Sequence, residues 1–395
     1  MVETAAADET ASQVMDETTA VSRWLMEELG LEDEHVAKAR EKSPQIDEHS
    51  IEEVLEPMAQ WLEKELKIGR GDVGRMVCMN PMVFGLDAER ELAPKLQWLE
   101  GEVGLGREGA AKMVRVCPEI FSQAVEESLA PKVKWLKEEL EVGAEKMAWV
   151  LTSCPDILGV GEVEDLEAKL RWLEELGMPR TKAILVARRD PRIFRLDIED
   201  NLEPKVKWLE ERLGVERKKA SQVLPKITNL SIQKTLEPKL QWMERELGLD
   251  AEKAGKLVVN YPKILRFGIE TNLEPKLGWL ARELGIEREA AAAMLRKCPS
   301  LLSCNIDNQL APVLSFYMED MKGAKTKSRS AAAVAKDPRV LSSSLWSRLR
   351  PRAKAMREAG IDPSFPKHRD MVALLPKAAF ERWMKKRGGG GGGRG

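Results

Sequence analysis

The chain has 395 residues, 43% hydrophobic and 32% charged, which is enough for two or three domains or for one long array. Its 63 Lys and Arg against 65 Asp and Glu leave whole-chain charge uninformative about partners, and no apolar run reaches the ~18–20 residues a membrane span needs. The five cysteines (Cys78, Cys117, Cys154, Cys298, Cys304) form no C-x-x-C pair, which argues against a zinc site and fits a reducing compartment.

The first stretch, "MVETAAADETASQVMDETTA", has five acids and no base, the opposite of a secretory signal or an Arg-rich transit peptide. It reads as an acidic, disordered lead-in over 1–19. From about residue 20 the chain repeats. LEPMAQWLEKELKI (55–68) returns as LAPKLQWLEGEVGL (92–105), LAPKVKWLKEELEV (129–142), LEAKLRWLEELGM (166–178) and LEPKVKWLEERLGV (202–215). It appears again as LEPKLQWMERELGLD (236–250), LEPKLGWLARELGI (273–286) and a weakened LAPVLSFYMEDMKG (310–323). The in-register tryptophans (Trp24, Trp61, Trp98, Trp135, Trp172, Trp208, Trp242, Trp279) are spaced 37, 37, 37, 37, 36, 34 and 37 residues apart.

A second proline marks each unit: Pro44, Pro81, Pro118, Pro155, Pro191, Pro225, Pro262, Pro299, Pro338 and Pro376. From it to the proline of the next L-x-P-K lie 13 residues, with Ala168 substituting once, so this joint is rigid. Length varies between Trp and second proline, 17 residues at Trp208–Pro225 against 20 in most units, which assigns the change to the turn and second helix. In 236–250 the apolar Leu236, Leu240, Met243 and Leu247 step by four, three and four, an α-helical stripe. The proline falls in the first turn and Gly248 ends the helix. "DAEKAGKLVVNYP" (250–262) supplies the second helix, and "KIL" after the proline a short apolar 3-10 turn. The tryptophan lies about 130° from the centre of the stripe. It therefore serves a second buried surface, against the adjacent repeat.

Charge is unevenly placed. From Lys322 onward there are 19 basic and 5 acidic residues, whereas 1–321 hold 44 basic and 60 acidic. A basic end of this kind seeks polyanions. Arg115; Arg188, Arg189, Arg192 and Arg195; Lys263 and Arg266; Arg296 and Lys297; and Lys336 and Arg339 recur at the end of the second helix. In stacked units they form a track along one edge, which suits a phosphate backbone. Arg348, Arg350 and Arg352 in "RLRPRAKAMR" (348–357) extend it. The lysines after the first proline (Lys95, Lys132, Lys169, Lys205, Lys239, Lys276) either pair with neighbouring glutamates or face phosphates, because a cation at a helix N-terminus opposes the macrodipole. Cys117, Cys154 and Cys298, each just before a closing proline, read as small buried joint residues. His35, His49 and His368 stand apart, with no catalytic arrangement, no metal site and no cofactor motif. "KKRGGGGGGRG" closes the chain as a low-complexity tail over 388–395.

The unit of about 35–38 residues, with L-x-P-K-L-x-W-L on the first helix and a proline closing the second, resembles the mTERF family of mitochondrial and plastid transcription-termination-factor-like proteins, in its algal and plant form. The likeness runs from about residue 20 to 376. It implies an all-α curved helical-repeat solenoid of about nine to ten units over 20–387, each of two antiparallel helices and a 3-10 turn, with 322–387 as a basic, more divergent end. It further implies a non-enzymatic monomer in chloroplast or mitochondrion that binds double-stranded DNA or structured RNA, works with protein partners of organelle gene expression, and acts in transcription termination or regulation. The rival reading from charge is a protein-interaction solenoid whose acidic groove docks a basic partner.

Overall fold

The computed structural model describes residues 20–159, 161–320, 332, 334–363 and 366–388. The acidic stretch 1–19, the basic stretch 322–331 and the glycine tail from 389 lie outside the described residues. The chain divides into two compact units, Met1–Asn201 and Leu202–Gly395. Both are built from the same helical repeat, and no strand occurs among the described residues.

One repeat of the second unit shows how the sequence makes the structure. Its first helix, Glu237–Leu247, buries the stripe Leu236, Leu240, Met243 and Leu247 completely. Gly248, at φ 60°, ends it in the left-handed region that glycine enters without penalty. Asp250 then accepts a bond from the Lys253 amide at 2.8 Å and opens the second helix, Ala251–Asn260. That helix stops because Pro262 forces Tyr261 into extended backbone, φ −141°. The turn Pro262–Arg266 follows in 3-10 geometry and buries Ile264 and Leu265. Nine such closing turns occur among the described residues, eight in 3-10 form and one, Asp156–Gly159, as a single α turn. At the tenth proline, Pro376, the pattern fails: a helix, Lys377–Gly388, starts in place of a turn.

Each first helix that carries the L-x-P proline also begins earlier than the pattern suggests, with a widened turn such as Ile232–Leu236. Val163–Glu175, with Ala168 in the proline's place, starts directly as an α-helix. In the widened turn Leu236 donates to the Ser231 carbonyl, five residues back, at 3.0 Å. Pro238 explains the widening: it has no N–H to donate, and its ring would strike the carbonyl four residues earlier, so the backbone opens to a five-residue step. Ser50, Asp87, Ser231, Asn305 and Ser344 cap these turns with side-chain oxygens. The shortened repeat absorbs its deletion in the second helix, as the spacing predicts. Arg217–Val223 has seven residues where Ala251–Asn260 has ten, and its 3-10 turn, Leu224–Lys226, has three.

The tryptophans do face the neighbouring repeat. Glu237–Leu247 packs against its own partner helix and against Arg288–Lys297 of the next repeat, so it has two surfaces to bury. Trp242, 1% exposed, lies on the second and donates its indole N–H to Glu274 of the next repeat at 3.1 Å. Trp208 reaches Glu237 at 2.9 Å and Trp24 reaches Glu56 at 3.3 Å. Trp24 and Trp135 also meet Phe84 and Phe194 of the following closing turns edge-on, with ring centroids 5.9 and 5.5 Å apart. Glu56 and Glu274 also take an arginine from the start of the second helix, Arg70 and Arg288, while Glu237 takes Arg212 from the end of the preceding first helix. Arg180 joins Glu167 (2.6 Å) to Glu139 of the preceding repeat (2.9 Å), and Arg288 joins Glu274 to Glu246. Hydrogen bonds from Arg70, Arg180 and Arg212 hold the carboxyls of Glu56, Glu167 and Glu237 below the usual glutamate value. Trp, Glu and Arg thus form a ladder that repeats with the helices.

Candidate nucleic-acid interface

A 3-10 helix has three residues per turn, so the first and fourth residues after each closing proline share one side while the second and third point inward. In Pro191–Arg195 and Pro262–Arg266 the inward pairs are Ile193 with Phe194 and Ile264 with Leu265, all buried. The outward pairs are Arg192 with Arg195 and Lys263 with Arg266, all exposed. Pro338–Ser342 adds exposed Arg339. Closing turns of successive repeats touch: Leu224–Lys226 meets Pro262–Arg266, and Pro299–Ser303 meets Pro338–Ser342. The outward residues of each touching pair therefore sit side by side, so that within the second unit Lys263, Arg266 and Arg339 belong to a ridge in two segments. In the earlier repeats the same positions hold Gln45 with Glu48, Met82 with Gly85, and Glu119 with Ser122.

The second unit also carries a groove of about 440 Å³ between Ala251–Asn260 and Arg288–Lys297. Lys253, Lys256, Arg296 and Lys297 line it beside Leu249, Leu257, Asn260 and Pro299, and no acid does. Lys253 and Lys256 were not singled out by the sequence pattern; they pair with Asp250 and Glu252 three and four residues away, each at 2.6 Å, and neither acid lines the groove. Net charge divides in the same sense. Residues 1–201 hold 25 Lys and Arg against 43 Asp and Glu; residues 202–395 hold 38 against 22. The acidity of 1–321 is thus confined to the first unit, since 202–321 has 19 basic and 17 acidic residues.

The remaining sequence-selected cations fall into three groups. Lys263, Arg266, Arg189 and Lys336 are exposed, and Lys297 is exposed while donating to the Lys336 carbonyl. Arg192, Arg195 and Arg339 are exposed but already paired, with Asp190 (2.7 Å), Asp156 (3.1 Å) and Asp337 (2.6 Å). Arg115, Arg188 and Arg296 are half-buried and turned toward the preceding repeat. Arg188 donates to Glu141 at 3.4–3.5 Å, and Arg296 donates to the Leu247 carbonyl and pairs with Glu289 at 2.8 Å. Arg115 lines a cleft of about 320 Å³ with Glu65, Lys67, Arg107 and Glu108. In the last repeat Arg348 donates to the Ala373 carbonyl at 3.4 Å, and exposed Arg350 lies over the ring of Trp346.

Arg352 requires a correction. It is buried, it donates to the carbonyls of Val372 (3.2 Å) and Leu375 (2.7 Å), and it stacks on Phe380, so it is not available to phosphate. It occupies the position directly after the first proline, and the lysines at that position do the same. Lys95, Lys132, Lys169, Lys239 and Lys276 donate to the carbonyls of Phe121, Leu158, Phe194, Leu265 and Leu302, each the third residue after the closing proline. Their partners are therefore neither glutamates nor phosphates. A 3-10 turn ends with carbonyls that have no helical donor, and the ammonium supplies one. Burial pushes the ammonium pKa of Lys132 down, as it does for the other lysines of this row.

Lys132→Met keeps the stem and removes the donor, leaving the buried Leu158 carbonyl unmatched. It is expected to destabilise the protein by about 1–3 kcal/mol, while exposed Lys134→Met stays within about 0.5 kcal/mol. Urea unfolding of both variants checks this, and unchanged nucleic-acid binding by Lys132→Met would confirm that the row is internal.

Cys117, Cys154, Cys298 and Cys304 are buried, and burial raises the Cys154 thiol to about 11, so these are packing residues. Among the described residues no cluster of His, Cys, Asp and Glu is arranged to hold a metal ion, and no helix is long and apolar enough to cross a membrane. No curated protein matches the sequence. The family model mTERF matches residues 68–374, and with repeat, turn and ladder all in the same register, the chain belongs to the mTERF family.

Proposed function

We propose that the chain binds duplex nucleic acid through its second unit and acts, without catalysis, in the control of organelle transcription. Phosphates lie in the groove of Lys253, Lys256, Arg296 and Lys297 and along the ridge of Lys263, Arg266 and Arg339. The observation that carries this reading is the groove itself, lined by four cations from two stacked repeats and by no acid, with Asp250, Glu252 and Glu289 pairing with three of the four from outside the lining. Phosphate recognition needs such repeated charge at fixed spacing rather than an enclosed pocket. Membership of a family associated with organelle nucleic acids supports it. The acid excess of the first unit favours a second contact there, with a basic protein of organelle gene expression.

Fluorescence anisotropy with a blunt DNA duplex and a structured RNA hairpin tests the reading. If roughly six to ten phosphates are neutralised, affinity falls about 10³–10⁵-fold between 50 and 200 mM salt. No binding at low salt, or binding indifferent to salt, would overturn it; tighter binding of the hairpin would assign the site to folded RNA.

A further inference from the structure

The last repeat inverts the chemistry of the others at the start of its first helix. Eight residues after the closing proline stand Glu52, Glu89, Glu126, Glu199, Glu270 and Asp307 in six earlier repeats, with Val163 and Gln233 in the other two; the last repeat has Trp346. Twelve residues after it stands Glu or Ala, as in Glu56, Ala93 and Glu274; the last repeat has Arg350. Trp346 is 71% exposed, the most of any large apolar side chain described, and the Arg350 guanidinium lies 4.5 Å from its ring centroid. Unlike Trp242 and Trp208 of the ladder, which are buried, Trp346 lies open to solvent. An exposed cation–π pair adds little to stability, and an exposed indole works against solubility, so folding does not account for this pair.

The surroundings favour a ligand with a flat apolar face and a negative backbone. Trp346, Arg350, Lys354 and Arg357 step by four, four and three residues, which aligns them on one side of the turn Leu345–Leu349 and the helix Arg350–Glu358, and all four are exposed. Lys354 has a distant pairing with Glu358 at 3.8 Å and is itself 78% exposed. Arg350 lies over the indole ring, yet most of the Trp346 side chain stays exposed.

We propose that Trp346 and Arg350 form a stacking platform for an unpaired nucleobase, with Lys354 and Arg357 holding the adjoining phosphates. The proposal rests on the nucleic-acid reading above and adds a ligand that the groove does not select, a single-stranded segment. Any base offers a π-face to such a platform, so recognition is tolerant of sequence. A blunt duplex keeps its bases stacked inside and gains nothing from Trp346.

The test compares the full-length protein with Trp346→Ala and Trp346→Phe by anisotropy. The probes are a single strand of roughly twelve nucleotides, the same strand with abasic sites, and the blunt duplex. Trp346→Ala is expected to bind the single strand about tenfold more weakly. Trp346→Phe keeps most of the affinity, duplex binding is unchanged, and the abasic strand erases the difference between wild type and Trp346→Ala. Equal binding of the single strand by wild type and Trp346→Ala overturns the platform, as does an equal loss on strand and duplex. Salt-dependent duplex binding that persists in either case leaves the groove reading standing, so the two failures are distinguishable. If the strand is indifferent to Trp346, the exposed Trp–Arg pair is instead a protein contact, a role for which both residues are suited.

Discussion

Trp242→Ala is expected to cost about 3–5 kcal/mol of stability, the largest effect of any single truncation in the repeats. Trp242 heads the fully buried side chains by volume, so its removal opens a cavity between two repeats that rigid helices cannot collapse. The loss is compounded at Glu274, which takes the indole N–H while also pairing with Arg288. Trp242→Phe separates the two contributions: it keeps an aromatic ring and loses the bond to a charged acceptor, for about 1.5–3 kcal/mol. A double-mutant cycle of Trp242→Phe with Glu274→Gln reads the coupling directly. Trp61 supplies the internal comparison, since it is half-buried and Ala93 stands at the position that Glu56 holds after Trp24 and Glu274 after Trp242. Trp61→Ala should therefore cost clearly less. Because each repeat is held by its neighbours, denaturant unfolding of Trp242→Ala should also lose cooperativity. A loss below about 1 kcal/mol for Trp242→Ala would contradict the account of the ladder.

The repeat, both helices and the inter-repeat role of the tryptophans were legible in the sequence because each depends on local spacing. A stripe at helical period and a proline at fixed distance are properties of ten to fifteen consecutive residues. The lysine row was not legible in the same way. Lys132 and its acceptor Leu158 are 26 residues apart, and only the stacked structure brings an ammonium to a turn carbonyl. Arg352 was misassigned for the same reason: "RLRPRAKAMR" presents it as one of several surface cations, although it stands in the buried lysine register. The widened turn before each first proline leaves a single clue, the capping Ser, Asp or Asn, which alone fits an ordinary helix start equally well. Lys253 and Lys256 were not legible as groove residues because they carry i,i+3 and i,i+4 acid partners, which they do pair with, whereas the groove is defined by the adjacent repeat.

Reversing Lys256, Lys297 and Lys263 to glutamate together should weaken duplex binding at least about tenfold and lower the slope of log affinity against log salt by about 0.9 per phosphate contact removed. The three are exposed, and they span the groove and the ridge, so the fold should survive the change. Reversal adds repulsion to the lost attraction, which makes the effect larger than substitution by alanine. Arg192 and Arg195 are expected to matter less than Lys263 despite their place on a closing turn, because Asp190 and Asp156 hold their guanidiniums and must be displaced before a phosphate can bind, as Glu252 must be for Lys256. Lys112 is the decisive control. It is exposed on its second helix six residues before a closing proline, as Lys256 is, but belongs to the acidic first unit. If the interface is a property of the second unit, Lys112→Glu leaves both affinity and salt slope unchanged. If Lys112→Glu weakens binding as much as Lys256→Glu alone, the cations act only through net charge, and neither groove nor ridge is a site.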